Sequence, residues 1–143
     1  MPSLVRAITK VLGLCLAGPA VAYPVTVNNC GTKLTFDRAP THAVVHDIDR
    51  GEMAFALHLQ PNIAGVTGIS GWCKVTPAFK AAQGAIPELA PKYPTLETLL
   101  AADTDFFAGW YCGMKPGGEV TPDTLAQKEI KTVWRKGWDS NPR

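Results

Sequence analysis

The sequence predicts an α/β fold: a three-layer, Rossmann-like lobe with a mainly parallel sheet and an N-terminal β-hairpin. Three observations carry this. From residue 42 onward, helical spacing alternates with short apolar runs, the pattern of βαβ units. Within Tyr93 to Gly109, YPTLETLLAADTDFFAG, one complete passage from helix to buried strand can be read. Ahead of both, polar and apolar residues alternate on either side of Asn28-Asn29-Cys30-Gly31, a turn whose Asn and Gly accept positive φ.

Each element follows in chain order. Tyr23 to Val27 and Lys33 to Phe36 form the hairpin, and Arg38-Ala39-Pro40 breaks it. AVVHDI, residues 43–48, is a β-rich run. Glu52 to Leu59 has helical spacing in Met53, Ala56 and Leu57, and Pro61 stops it because proline cannot continue a helix. Ile63 to Val66 is the next strand, closed by Thr67-Gly68. Ser70 to Leu89 contains two prolines, two glycines and no sustained period, so it reads as a long surface loop with a helical turn near Ala78 to Gln83. Pro94 and Thr95 then open a helix that places Leu96, Leu99 and Leu100 at helical spacing and Glu97 in its first turn, where the helix dipole favours an acid. Asp105 to Ala108 is a buried strand ended by Gly109. A loop over 112–122 leads to a helix from Thr121-Pro122 through Lys128, and Ile130 to Trp134 begins a last strand. Four sheet strands are therefore expected after the hairpin.

The first 22 residues read as a separate object. Arg6 and Lys10 precede the apolar run Val11 to Gly18, and Ala20-Val21-Ala22 supplies the small-x-small pattern of a signal peptidase site, so a secretory signal over 1–22 is cut before Tyr23. The run is too short to span a bilayer, and Cys15 follows Leu14 rather than the small residue that precedes a lipidated cysteine. A soluble exported protein is expected, with residues 23–134 as its folded domain. Residues 135–143 are polar and without period, and we read them as an irregular tail produced by truncation or a change of frame near Trp134. Loss of the leader removes Arg6 and Lys10, which takes the 14 basic residues to 12 against 12 acidic ones. A neutral chain has no dense basic face for a phosphate backbone, so no nucleic-acid partner is expected. Cys30, Cys73 and Cys112 remain; an oxidising compartment favours a disulfide, an odd count leaves one thiol over, and free buried thiols stay open as the alternative.

Three strand ends, Asp47-Ile48-Asp49, Thr67 to Lys74 and Trp110 to Met114, lead into loops at one edge of the sheet. Open α/β sheets bind ligands outside the carboxyl ends of their strands. Trp72, Trp110 and Tyr111 offer flat apolar surfaces with polar tips there, and Ser70 and Asp49 add polar groups. Lys74 and Lys115 read either as attractors of an anionic ligand or as solvated surface lysines. Asp47 and Asp49 are read as caps or solvated acids, because no nucleophile, base and orienter can be named together. His42 and His46 have no third ligand at metal spacing. No triad, phosphate loop or GxSxG occurs. The chain is expected to be no enzyme, with no cofactor and no metal.

LTFDRAP, VVHDI, EMAFALHL, IAGVTG, PTLETLLAADTDFFAG and TPDTLAQKEIKTV together resemble the amino-terminal lobe of periplasmic substrate-binding proteins of ABC importers, the class that carries iron-siderophores, haem and cobalamin. The resemblance runs from about Val25 to Val133. Thr104-Asp105 stands where that family usually has Pro-Asp, Glu129 stands where a glycine normally precedes the isoleucine, and the family's second lobe and long connecting helix have no counterpart here. The resemblance implies a fragment of an importer's substrate-binding component, located in the periplasm. Its partners would be a metal-chelate or tetrapyrrole ligand, faced by Trp72, Trp110, Tyr111, Ser70 and Asp49, and an inner-membrane ABC permease, met by Glu88. A small exported α/β hydrolase and a small exported interaction domain are the alternative readings.

Overall fold

A computed structural model describes residues 23–29, 31–72, 74–109 and 118–133. The expectations for the leader and its cleavage, Cys30, Cys73 and Cys112, Trp110 and Tyr111, and the tail after Val133 lie outside these residues.

The hairpin pairs β1 (Val25–Asn29) with β2 (Thr32–Phe36) antiparallel, from Asn29 opposite Thr32 to Val25 opposite Phe36. Only two residues, 30 and 31, separate the strands, and Gly31 takes a φ of +85°, the backbone region that short hairpin loops demand. Asn28 Oδ1 accepts from the Gly31 amide at 3.2 Å.

The main sheet has five strands, all pairing parallel: β3 (Ala43–His46), β4 (Ile63–Thr67), β5 (Glu88–Ala90), β6 (Phe106–Ala108) and β7 (Lys131–Thr132), in spatial order β5-β4-β3-β6-β7. The chain begins at the centre, steps outward twice, then crosses back to add two strands on the other side. Reversing direction with crossovers of one hand puts the helices on opposite faces. Accordingly α1 (Ile48–Ala56) and α2 (Pro77–Gln83) bring Phe55 and Phe79 onto Val45 and Val66, while α3 (Leu96–Ala101) and α4 (Pro122–Gln127) bring Leu99 and Leu125 onto Val44 and Phe107. Adjacent residues Val44 and Val45 thus serve opposite cores, the period-two alternation of a strand buried on both faces. Helix, sheet and helix make the three expected layers.

Local chemistry fixes the helix ends. Thr76, Thr95 and Thr121 each precede a helix in extended conformation and accept from the amide three residues on, at 3.1 Å in every case, a cap typically worth about 1 kcal/mol. Close packing of α1 on α2 depends on Gly51, where a β-carbon would lie 2.9 Å from the Phe79 ring. The hairpin docks on the β7 edge: the Phe36 and Phe106 rings meet edge to face at 5.9 Å, Lys131 Nζ lies 5.1 Å from the Phe36 ring centre and donates to the Thr35 carbonyl, and Asn29 Nδ2 donates to Thr132 O at 3.3 Å.

Four sheet strands were too few. Residues 88–90 form β5 within the segment expected to be a surface loop, and the helical turn expected near 78–83 is α2. Strand β3 ends at His46, not residue 48, and α1 starts at Ile48, not Glu52, because Asp47 caps it. The same helix ends at Ala56, followed by a single 3-10 turn over Gln60–Asn62 that carries Pro61.

Candidate functional site

With the order β5-β4-β3-β6-β7, the sheet reverses direction between β3 and β6, and the helices that follow those strands, α1 and α4, pack on opposite faces. Such a switch point opens a crevice at the carboxyl edge, where ligands bind in this class of sheet. The segments leaving β3 and β4 are two of the three singled out from the sequence; the third, from Trp110 to Met114, lies outside the described residues.

Asp47 follows β3 directly. Its backbone has φ 79° and ψ 150°, a region that costs a residue other than glycine about 1–3 kcal/mol. Three contacts hold it there: its amide donates to Thr67 O at 2.8 Å, its carboxylate accepts from the Ile48 amide at 2.6 Å, and Arg50 Nη1 lies 3.7 Å from Oδ2. Asp47 is therefore the helix cap expected from the sequence. Asp49, exposed in the first turn of α1, stands at the same edge.

Beyond β4 the chain is pinned to β5. The Gly68 amide donates to Ala90 O and the Gly71 amide to Pro91 O, both at 2.9 Å, while Glu88 Oε1 accepts from the Ile69 and Ser70 amides at 3.1 and 2.8 Å. Glu88 is thus a half-buried strand residue that anchors the 69–70 segment, not a glutamate on a free loop. These bonds make the stretch from Gly68 to Trp72 a fixed shelf. Ser70 and Trp72 stand exposed on it, Trp72 at 53%.

The Trp72 ring is supported from beneath. It meets Tyr93 edge to face, ring centres 4.9 Å apart, and Tyr93 lies parallel to the His46 imidazole, 5.9 Å apart with planes 7° from coincident. His46 ends β3, is 3% exposed, and bonds through Nδ1 to Thr67 Oγ1 at 2.9 Å. Gly68, at φ +71°, closes over the imidazole so tightly that a β-carbon would lie 2.4 Å from Cε1. Three rings therefore climb from the core to the surface at the switch-point edge.

The structure brings Ser70, Trp72 and Glu88 together on one shelf and puts Asp49 along the same edge. Trp110 and Tyr111 lie outside the described residues, in the segment that follows Gly109 and the carboxyl end of β6. Lys74 is exposed just past the shelf. Sequence reasoning missed Tyr93 and the supporting role of His46. The available signal for Tyr93 was an aromatic directly before the Pro94-Thr95 helix start; for His46 it was a polar residue ending a run of buried β-branched ones. His42 directly precedes β3 and His46 ends it, about 13 Å apart along an extended chain, so they do not share an ion. Among the described residues no group of three His, Cys, Asp or Glu side chains is placed to hold a metal.

No protein-family model matches the sequence and no curated protein matches it. Solved structures do. A periplasmic binding protein from Veillonella parvula superposes with a TM-score of 0.62 at 25% identity, over 77% of this chain and 37% of that one. An ABC-type Fe3+-hydroxamate transport system from Saccharomonospora viridis gives a TM-score of 0.60 at 22% identity, over 79% and 39%. The chain thus spans less than two fifths of either neighbour. Both are named for binding or transport. Among the described residues no helix is long and apolar enough to cross a membrane.

Proposed function

We propose that this chain, folded like part of a periplasmic binding protein, supplies one wall of the ligand cleft of an ABC importer's substrate-binding component, and that its ligand is an iron-siderophore, haem or a cobalamin-like corrin. One observation carries the reading: a tryptophan more than half exposed is held rigidly outward at the switch-point edge of a 143-residue α/β chain. A flat apolar ring kept in water at the place where this sheet class binds ligands suits a large planar or aryl-rich ligand. Ser70 and Asp49, with Trp110 and Tyr111, are the other ligand-facing residues of the proposal. The leader carries the chain to the periplasm and is cut before Tyr23.

Glu88 is the proposed permease-facing acid. With Oε1 committed to two backbone amides, its carboxylate is held in one orientation, which suits an arginine approaching from a partner, a contact that acts more on encounter than on affinity.

The test is titration of a ferric hydroxamate, haem and cobalamin against two proteins: this chain alone, and this chain joined to a second lobe. A ligand held by one wall keeps about half its surface in water and must still overcome several kcal/mol of lost rigid-body freedom. The expected result is weak binding by the single chain, tight binding by the two-lobed form, and loss of the latter on Trp72→Ala. In the same two-lobed form Glu88→Gln keeps an oxygen for both amides, so ligand affinity should persist while permease-coupled uptake falls. Sub-micromolar binding by the single chain as a monomer would replace this reading with a complete small binding module.

A further inference from the structure

We infer that His46 is a positioning residue for Trp72: it touches no ligand, yet its ring plane sets the height and angle at which the tryptophan is presented. The inference deepens the reading of Trp72 as a ligand-facing ring and rests on it.

The geometry runs in one direction, from the core outward. The Thr67 hydroxyl, on the neighbouring strand and itself fully buried, fixes the imidazole through Nδ1 at 2.9 Å. Gly68 covers the ring at a distance no other residue allows, and Phe107 packs obliquely with ring centres 6.4 Å apart. Held by these neighbours, the imidazole offers one flat surface, and Tyr93 lies parallel to it. Tyr93 follows β5 by three positions and is otherwise bounded by exposed Lys92 and by Pro94. Trp72 in turn stands upright on Tyr93. Backbone bonds fix the shelf itself, through Gly68, Ile69, Ser70 and Gly71, but they do not set the rotamer of an indole half in water. Ring contact does that, and aromatic pairs in offset-parallel and edge-to-face arrangements gain about 0.5–1.5 kcal/mol beyond area burial. Two such contacts in series are enough to favour one Trp72 orientation over its alternatives.

The device is legible in residue types. A strand buried on both faces ordinarily ends in another aliphatic side chain, which offers no plane. An imidazole supplies a plane together with a nitrogen that the adjacent Thr67 can lock.

The experiment reads Trp72 without any ligand. In a background carrying Trp110→Phe, Trp134→Phe and Trp138→Phe, emission maximum, acrylamide quenching and anisotropy report on Trp72 alone. Expected are a red shift, stronger quenching and lower anisotropy for His46→Ala and for Tyr93→Leu, the second removing the middle ring without disturbing β3. His46→Phe restores a flat ring and should return the signal towards the parent. Phe55→Ala, in the core on the other face of the sheet, should lower the melting temperature and leave the Trp72 signal unmoved, which separates positioning from general loosening. Unchanged Trp72 emission and quenching in folded Tyr93→Leu and His46→Ala overturns the inference, as does an equal change in Phe55→Ala. Because no ligand is present, a parent chain that binds no chelate but shows the His46 effect would remove the functional reading and leave the positioning role standing.

Discussion

Asp105 closes the edge of the sheet opposite the aromatic rings. Its carboxylate accepts from the Thr41 amide at 2.7 Å, the Thr41 hydroxyl at 3.1 Å and the His42 amide at 3.0 Å, tying down the segment that enters β3. Partial burial alone would raise its pKa; the amides of Thr41 and His42, the Thr41 hydroxyl and the nearby His42 together outweigh burial and hold it below the ordinary 3.8. A lowered folded-state value means the charged form stabilises the fold above the unfolded pKa, and this contribution is lost as pH falls through the folded pKa. Asp105→Asn should therefore cost about 1 kcal/mol at pH 7, a modest figure because solvent screens a partly exposed group. Urea unfolding of parent and variant should converge as the pH drops below 3.8; a gap that stays constant into acid would contradict the argument. This role was hidden in the sequence, where Asp105 reads only as the first residue of a strand, since its partners lie more than 60 positions earlier.

At the scale of elements, what could be read was whatever buries itself. Strands β3, β4 and β6 announce themselves as apolar runs because both faces are covered, and α3 and α4 by their threonine caps. Strand β5 does not: it has three residues, follows Pro87, and presents one aliphatic side chain, Leu89. It exists because the exposed edge of β4 offers the Val66 amide to the Pro87 carbonyl at 2.9 Å, a partner that no local pattern encodes. The shelf under Trp72 is tied to β5, so half of the candidate site was illegible for the same reason. Turn chemistry, by contrast, can be checked residue by residue. Glu129 occupies φ +60° just past α4, where the amide of Ile130 reaches back to Leu125 O at 2.9 Å. This left-handed conformation explains why a glycine suits the position: a side chain there costs about 1–2 kcal/mol, against about 0.4–1 kcal/mol for the extra freedom of glycine in the unfolded chain. Glu129→Gly should accordingly stabilise the protein by roughly 0.5–1 kcal/mol, raising the melting temperature by a few degrees. An unchanged or lowered melting temperature would mean that the Glu129 side chain contributes contacts that offset its strain.

For the whole molecule, the two faces of the sheet are unequally covered. On the face carrying α1 and α2, Val45, Phe106 and Ala108 border a groove of about 440 Å³ whose outer rim is Met53, Leu57 and Leu59 of the α1 region. Met53 is 65% exposed, Leu57 67% and Leu59 45%. Met53 and Leu57 stand at the helical spacing read from the sequence. In the structure Phe55 is the side chain of α1 buried in the core, and Met53 and Leu57 lie in water beside it. An apolar patch of contiguous residues this open favours association, and it lies apart from the edge where Trp72 stands. Self-association of the isolated chain should therefore depend on α1 more than on the candidate site. Replacing Met53 and Leu57 with Gln should lower the weight-average mass seen by sedimentation at high concentration, while each change moves stability by less than about 0.5 kcal/mol because neither side chain is packed. Trp72→Ala should change that mass much less. If Trp72→Ala alone abolished association and the α1 variant left it intact, the sticky surface would be the switch-point edge, and the groove beside α1 would be an ordinary solvated hollow.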